Sequence, residues 1–251
     1  MNKTETKTGY TTPLEEFLSS TKKEQQELLS DLVIESNAIE GIYQYKTVTL
    51  NSEGEIPPFY EFSDHHKALD HVLDNYSIRD PTEEDIKHIH HTLTTNIFRE
   101  TAEDLISRYD LSPEKQEQAI VAYQRNSGNY RQTKVWIGSK NGGYQGAPYF
   151  RQIPKLMKQL EKDIQNLTSP TEDIIWNLHH KFETIHPFID GNGRTGRLLL
   201  NWLSLKYNNK FIVNESDKRG YYYDKIKLYK SKFKQENPSV HFYKDKLPLK
   251  I

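Results

Sequence analysis

Residues 186–197 read His-Pro-Phe-Ile-Asp-Gly-Asn-Gly-Arg-Thr-Gly-Arg and lie between two stretches with helical apolar spacing. Ile174, Ile175, Leu178, Phe182 and Ile185 come before; Leu198, Leu199, Trp202, Leu203 and Leu205 follow. The chain must therefore join two buried helices through a tight polar loop. Pro187 fixes its own φ and pushes His186 out of the helical region, which sets the break there. Gly191-Asn192-Gly193 can take backbone angles closed to most residues and turn successive N–H groups inward as an anion-binding nest. A helix starting near Gly193 or Arg194 would add its free N–H groups and positive dipole end. Arg194 and Arg197, three apart, share one helix face. His186 has a near-neutral pKa suited to proton transfer. Asp190 offers oxygen ligands to a hard cation such as Mg²⁺.

Gly191, Gly193 and Gly196 also spell GxGxxG, the dinucleotide-binding fingerprint. That motif needs a preceding strand and a βαβ unit. Here a helical pattern precedes it, so the dinucleotide reading is set aside. A Gly-rich turn with solvated arginines would account for any two of these residues, but poorly for the whole set.

The full set resembles the signature of the Fic family, HPFx[DE]GNGRxxR. His186, Pro187, Phe188, Asp190, Gly191, Asn192, Gly193, Arg194 and Arg197 meet every specified position. The resemblance implies a mainly α fold, a Fic-type helical bundle with a small β-hairpin flap over the active site. It implies transfer of AMP from ATP to a Ser, Thr or Tyr hydroxyl of a protein, including the chain itself. His186 would be the base. Asp190 would hold Mg²⁺. Residues 190–197, with Thr195 and Gly196 among them, would bind the nucleotide. In that scheme Asn192 adds an amide donor, Arg194 meets the β-phosphate and Arg197 the γ-phosphate. Pro187 and Phe188 are structural anchors. Relatives with kinase-like chemistry carry Lys at the central nest position, where this chain has Gly193.

Three further segments gain meaning from that resemblance. Ser36-Asn37-Ala38-Ile39-Glu40-Gly41 ends a predicted helix over 13–40 that Gly41 stops. Ser36 and Glu40, four apart, share a face, and alone they read as solvated residues. The segment resembles the family's inhibitory motif [ST]xxxE[GN], which implies that Glu40 pairs with Arg197 and competes with the γ-phosphate. Second, Tyr130–Gly138 and Tyr144–Pro148, about an Asn141-Gly142 turn, read as a β-hairpin in a helical chain. On its own this is a surface hairpin with a free strand edge. By resemblance it is the flap, with Val135, Trp136, Ile137 and Gly138 lining the nucleotide pocket and a target protein docking along 130–148 by β-augmentation. Third, Arg219 to Ile226 resembles RxxYYxxL, which places Tyr222 and Tyr223 against adenine and ribose. Lys230 stands further along that helix, where some relatives carry Asn.

The remaining sequence bounds the answer. The 251 residues suffice for a buried core. Net charge is −1, so there is no basic field for nucleic acid. The absence of cysteine excludes disulfides and thiolate zinc sites. The polar first residues and the lack of a long apolar run predict neither signal peptide nor membrane partner, and the expectation is a cytoplasmic protein. The pattern predicts a loose lead-in over 1–12, an inhibitory segment over 13–41, the core domain over 42–235 and a tail with a short helix over 236–251. Other helices are expected near 59–76, 82–95, 111–124, 150–166 and 171–185. A turn is expected at Asn51–Gly54. His88, His90 and His91 suggest a metal cluster, but core and surface histidines suit the spacing better, since no carboxylate partner is evident. A homodimer, a reaction that mainly removes AMP, transfer of another nucleotide and a silent binding module are the alternatives.

Overall fold

A computed structural model describes residues 1–42, 60–109, 111–138 and 144–246. The central element is the helix that follows the motif, α8 (Asn192–Asn208), which is buried from Arg194 through Leu205. A helix apolar on all sides needs cover on all sides. Leu198, Trp202 and Leu205 join one apolar cluster and Leu199, Leu200 and Leu203 another.

The first cluster is built by α2 (Lys22–Ile39), α3 (Tyr60–Asn75) and α4 (Glu83–Ser107) through Leu28, Leu32, Val33, Leu69, Val72, Ile89 and Leu93. The second is built by α6 (Ile153–Gln165) and α7 (Glu172–Ile185) through Ile153, Met157, Leu160, Ile175, Phe182 and Ile185. A short α1 (Leu14–Ser19), α5 (Pro113–Gln124) and α9 (Arg219–Glu236) complete the α-helices of the described residues. The mainly α expectation holds. The predicted helix over 13–40 is two helices, because Thr21 and Glu24 form a capping box that starts α2 afresh. The predicted helix over 82–95 runs on to Ser107, since Phe98 and Ala102 continue its buried stripe.

Both ends of the chain depart from expectation. The lead-in is not loose. Strands β1 (Thr4–Glu5) and β2 (Gly9–Pro13) form an antiparallel sheet with β5 (Lys210–Asn214), Tyr10 opposite Val213. Thr8 to Thr12 are buried there. A threonine-rich stretch reads as a polar tail, but Thr and Tyr also suit a strand. At the other end no helix follows α9 among the described residues. Residues 241–246 run extended beside the hairpin of β3 (Trp136–Gly138) and β4 (Tyr144–Gly146). Bridges Tyr144–Lys246 and Pro148–Phe242 make this segment a third strand on the β4 side. The predicted turns at Asn51–Gly54 and Asn141-Gly142 lie outside the described residues.

Candidate active site

The motif loop is held by groups that satisfy its backbone. His186 ends α7 in the left-handed conformation, φ 50° and ψ 62°, while its N–H still reaches Phe182. Pro187 excludes the helical region, as expected, but the escape is left-handed rather than extended. Phe188 N–H donates to Asn192 Oδ1 at 2.9 Å, and Asn192 Nδ2 donates to the Phe188 carbonyl at 3.0 Å. The Asn192 amide, expected to serve a phosphate, thus clamps the loop. Gly191 takes φ 74°, and a Cβ there would lie 2.7 Å from Thr94 Cγ2. Thr195 Oγ1 donates to the Gly191 carbonyl.

Two residues that sequence reasoning did not single out for this role tie the loop to the rest. His90, one of the three histidines weighed as metal ligands, is buried and stacks flat on Phe188 with ring centroids 3.7 Å apart. Its Nδ1 accepts from Gly128 N–H, so Nε2 carries the proton and donates to the Asp190 carbonyl at 2.9 Å. Burial holds its pKa near 3. Arg131 is buried without a carboxylate. It donates to the carbonyls of His186, Thr133 and Pro148 at 2.7–3.0 Å, joining the motif loop to the hairpin. Nothing in its local sequence marks it, because its partners lie 2 to 55 residues away.

A cavity of about 640 Å³ opens between α7, α8, α9, the end of α2 and the hairpin. His186, Gly193, Arg197, Glu40, Glu183, Tyr222, Tyr223, Ile137, Gly138 and Lys230 are among its walls. Val135 and Trp136 are not. Trp136 turns outward, its Nε1 donating to the Lys244 carbonyl and its ring under Lys246 Nζ at 3.3 Å. Thr195 and Gly196 also lie behind the wall; a Cβ at Gly196 would meet Glu183 and Phe182. Asp190 is exposed at the loop tip, one carboxylate oxygen accepting from Gly191 N–H at 2.7 Å. Arg194 is buried, and its Nε and Nη1 have no hydrogen-bond partner. It is not among the residues that line the cavity, and it lies near enough to His65 and His90 to lower the basicity of both, after burial. A larger hollow of about 810 Å³ lies behind α9, and none of residues 186–197 lines it.

Arg197 is the electrostatic centre. Its Nη2 donates to Glu40 Oε1 at 2.7 Å and to the Ser36 carbonyl at 2.8 Å, and Nε donates to Ser36 Oγ at 2.8 Å. Burial alone would lower its pKa, but Glu40, Tyr222 and Tyr223 outweigh that and raise it. The geometry follows from the end of α2. Glu40 N–H bonds to Asn37 rather than Ser36, which leaves the Ser36 carbonyl for Arg197. Asn37 is pinned by His65 at 3.0 Å, and Tyr223 OH donates to the Ile39 carbonyl. The Glu40 carboxylate sits over the N-terminus of α8, so a Cβ on Gly193 would lie 2.1 Å from its Oε1. The negative end of one helix thus meets the positive end of another across an ion pair. The guanidinium side is 2% exposed and the carboxylate side 32%.

Tyr222, expected against a nucleotide base, is 1% exposed and occupied otherwise. Arg197 Nη1 donates to its hydroxyl at 3.4 Å, the hydroxyl donates to His179 Nε2 at 2.8 Å, and His179 Nδ1 donates to the Gly196 carbonyl. Tyr223 is partly exposed on the same wall. His186 is neutral: burial, then the charges of Arg131 and Lys230, hold its pKa near 3, and its Nδ1 is buried without a partner. Glu183 lies one turn before it. Burial pushes its carboxyl up to about 8, with Arg197 opposing and Glu40 reinforcing, and Oε1 has no partner. The site therefore holds a neutral imidazole, a neutral carboxyl and a fixed cation already carrying a removable anion. Such a set suits proton transfer beside a bound polyphosphate. Among the described residues no group of three or more His, Asp or Glu side chains could hold a metal.

Residues 80–204 match the model of the Fic/DOC family. A protein adenylyltransferase Fic of Drosophila yakuba is 32% identical over 104 residues, 40% of this chain and 20% of that protein. Its counterpart in Drosophila erecta is 46% identical over 50 residues. The chain thus matches about one fifth or less of the length of these relatives. Among solved structures, a Fic-domain signaling protein of Bacteroides thetaiotaomicron superposes with a TM-score of 0.59 at 20% identity, covering 85% of this chain and 78% of that one. A fragment of Caenorhabditis elegans Fic-1 gives 0.56 at 19%, covering 86% and 61%. Motif, fold and family model agree, and residues 80–204 of the chain are a domain of the Fic/DOC family.

Proposed function

We propose that the protein transfers AMP from ATP to a Ser, Thr or Tyr hydroxyl of a target protein and of itself, and that Glu40 restrains the reaction. The observation that carries this reading is the three-way contact of Arg197, Glu40 and Ser36 in the cavity that His186 lines. Arg197 and the free N–H groups at the start of α8 suit the terminal phosphates. His186, neutral at physiological pH, accepts the proton of the attacking hydroxyl. The hydroxyl oxygen bonds to the α-phosphorus, the bond to the β-phosphate oxygen breaks, and pyrophosphate leaves. Asp190 fits Mg²⁺ through its exposed carboxylate, since that ion keeps water and phosphate ligands and needs one or two carboxylates. Once bound, the ion would neutralise charge on the phosphates. Arg194 has two buried nitrogens without a hydrogen-bond partner, which leaves them for the β-phosphate.

Glu40 occupies the partner position on Arg197 that a terminal phosphate would take. The segment 13–41 is thus a brake, and 42–235 is the part it restrains. Incubation with ATP and Mg²⁺ followed by mass spectrometry tests both claims. Glu40→Gly should gain an AMP adduct at least tenfold faster than the wild type, and His186→Ala in that background should gain none. Equal labelling of wild type and Glu40→Gly would remove the brake from the scheme.

A second reading has one observation behind it. Glu40 is one-third exposed within a cavity that also holds a neutral His186. A carboxylate so placed suits the orientation of a water for hydrolysis of an AMP–protein ester. Loss of AMP from a modified target with the wild type, and not with Glu40→Gly, would favour this reverse reaction.

A further inference from the structure

The larger hollow behind α9, about 810 Å³, falls within the roughly 300–1,000 Å³ of small-molecule sites. Its walls are one face of α7, one face of α9 and the turn between β1 and β2. Tyr222 is the residue it shares with the cavity of His186 and Arg197. The transfer reaction uses none of its other walls.

Three kinds of group face this hollow. The first is aromatic. The His180 ring lies 5.7 Å from that of Trp176 and 5.9 Å from that of Tyr229, centroid to centroid. Trp176 and Tyr229 are half-buried, so part of each ring is open. The second is cationic. Lys7 and Lys225 come from different elements, yet their Nζ atoms lie 5.8 and 5.2 Å from the centroid of one ring, that of Tyr221. Neither has a carboxylate in ion-pair reach among the described residues. An anion at that ring relieves their repulsion. The third is an imidazole in want of partners. His180 is 8% exposed, and neither ring nitrogen makes a hydrogen bond among the described residues. Burial, then the charge of Lys225, keep it neutral with a pKa near 4, so it offers one donor and one acceptor. A buried polar ring so placed is satisfied by what enters the hollow. Asp173, exposed in the first turn of α7, adds a carboxylate to the wall.

These are the groups that a nucleoside phosphate needs. A base stacks on aromatic side chains whatever its identity. A phosphate accepts from ammonium groups, and ribose hydroxyls donate to a carboxylate. We propose that this hollow binds a nucleoside monophosphate, with its base against Trp176 and Tyr229 and its phosphate on Lys7 and Lys225, at a site separate from that of the transfer reaction. The inference stands whether or not the chain transfers AMP, and it involves no covalent step.

The test uses the full chain and tryptophan fluorescence. Of the three tryptophans, Trp176 is the one that lines the hollow. AMP, added without Mg²⁺, should change the emission of the wild type saturably, and Trp176→Phe should lose that change. Lys225→Glu and Lys7→Glu should each weaken AMP at least tenfold; neither residue lines the other cavity. Adenosine and inorganic phosphate should each bind at least tenfold more weakly than AMP. If Trp176→Phe fails to fold, calorimetry of AMP on Lys225→Glu, an exposed position, decides the matter. No saturable change in the wild type overturns the proposal, as does a change that persists in Trp176→Phe or an affinity unmoved in Lys225→Glu. Phosphate binding as tightly as AMP would reduce the hollow to an anion site and overturn the nucleoside. His186→Ala, which the transfer reading silences, should bind AMP here as the wild type does, so either reading can fail without the other.

Discussion

At the scale of single residues, the site is a set of groups held away from their usual protonation. His186 is neutral well below pH 6 because burial and two nearby cations oppose its charged form. In the Glu40→Gly background the transfer rate should therefore show no acid limb near pH 6.5; a limb there would assign the proton to a freely titrating histidine. Glu183 is the opposite case. Its carboxyl titrates near 8 in the fold, against 4.5 ordinarily. Between those values the folded chain holds a proton that the unfolded chain has lost, so this group's contribution is full below pH 4.5 and is lost as pH rises toward 8. Glu183→Gln should gain on the order of a few kcal/mol at pH 8 and little at pH 4.5. Denaturant unfolding of both chains at the two pH values measures it, and an equal gain at both would refute the assignment. Phe188, fully buried between His90, Tyr130 and Phe182, anchors the loop. Phe188→Ala should cost about 3–5 kcal/mol in the same assay.

At the scale of elements, the end of α2 is a moulded part. Ser36, Asn37 and Ile39 each bond outside their own helix, to Arg197, His65 and Tyr223. Ser36→Ala removes one bond to Arg197 but leaves the backbone carbonyl and Glu40. It should raise auto-modification severalfold, less than Glu40→Gly does, as radiolabelled ATP would report. The motif and the Ser36–Glu40 spacing were readable because their chemistry lies in consecutive residues or on one helical turn. Arg131, His90 and Glu183 were not, since each takes its meaning from a partner brought near by the fold. The hairpin was legible and its surroundings were not. The strand edge predicted to be free is covered on the β4 side by Phe242 to Lys246, which leaves the β3 side for any added strand. Extended pairing of a lysine-rich stretch with a distant strand leaves no periodic trace.

At the scale of the whole molecule, α8 divides the core in two and carries the motif at its head. The N-terminal strand reinforces the half that holds Glu40. Tyr10 packs against α2, and its hydroxyl donates to Asp31 at 2.9 Å, while β2 pairs with β5 next to α8. Removal of residues 1–13 should lower Tm by several degrees. It should also loosen Glu40 enough to raise basal labelling; a stable, equally silent truncation would show that the sheet plays no part in restraint. The helical architecture followed from apolar periodicity, whereas the sheet at the N-terminus was hidden by its polar composition.

Gly193 and Glu40 constrain each other's replacement. A methyl group at 193 cannot coexist with the carboxylate where it now rests, 2.1 Å from the ideal Cβ. Gly193→Ala alone should therefore act in part like loss of Glu40, while in a chain already lacking Glu40 that part of its effect should vanish. Substitutions at these two sites then have an order dependence, because the clash of a methyl group at 193 with the carboxylate disappears once Glu40 is gone, while its closeness to Arg197 Nη1 at 3.0 Å remains. Comparison of the single and double variants would read that epistasis directly.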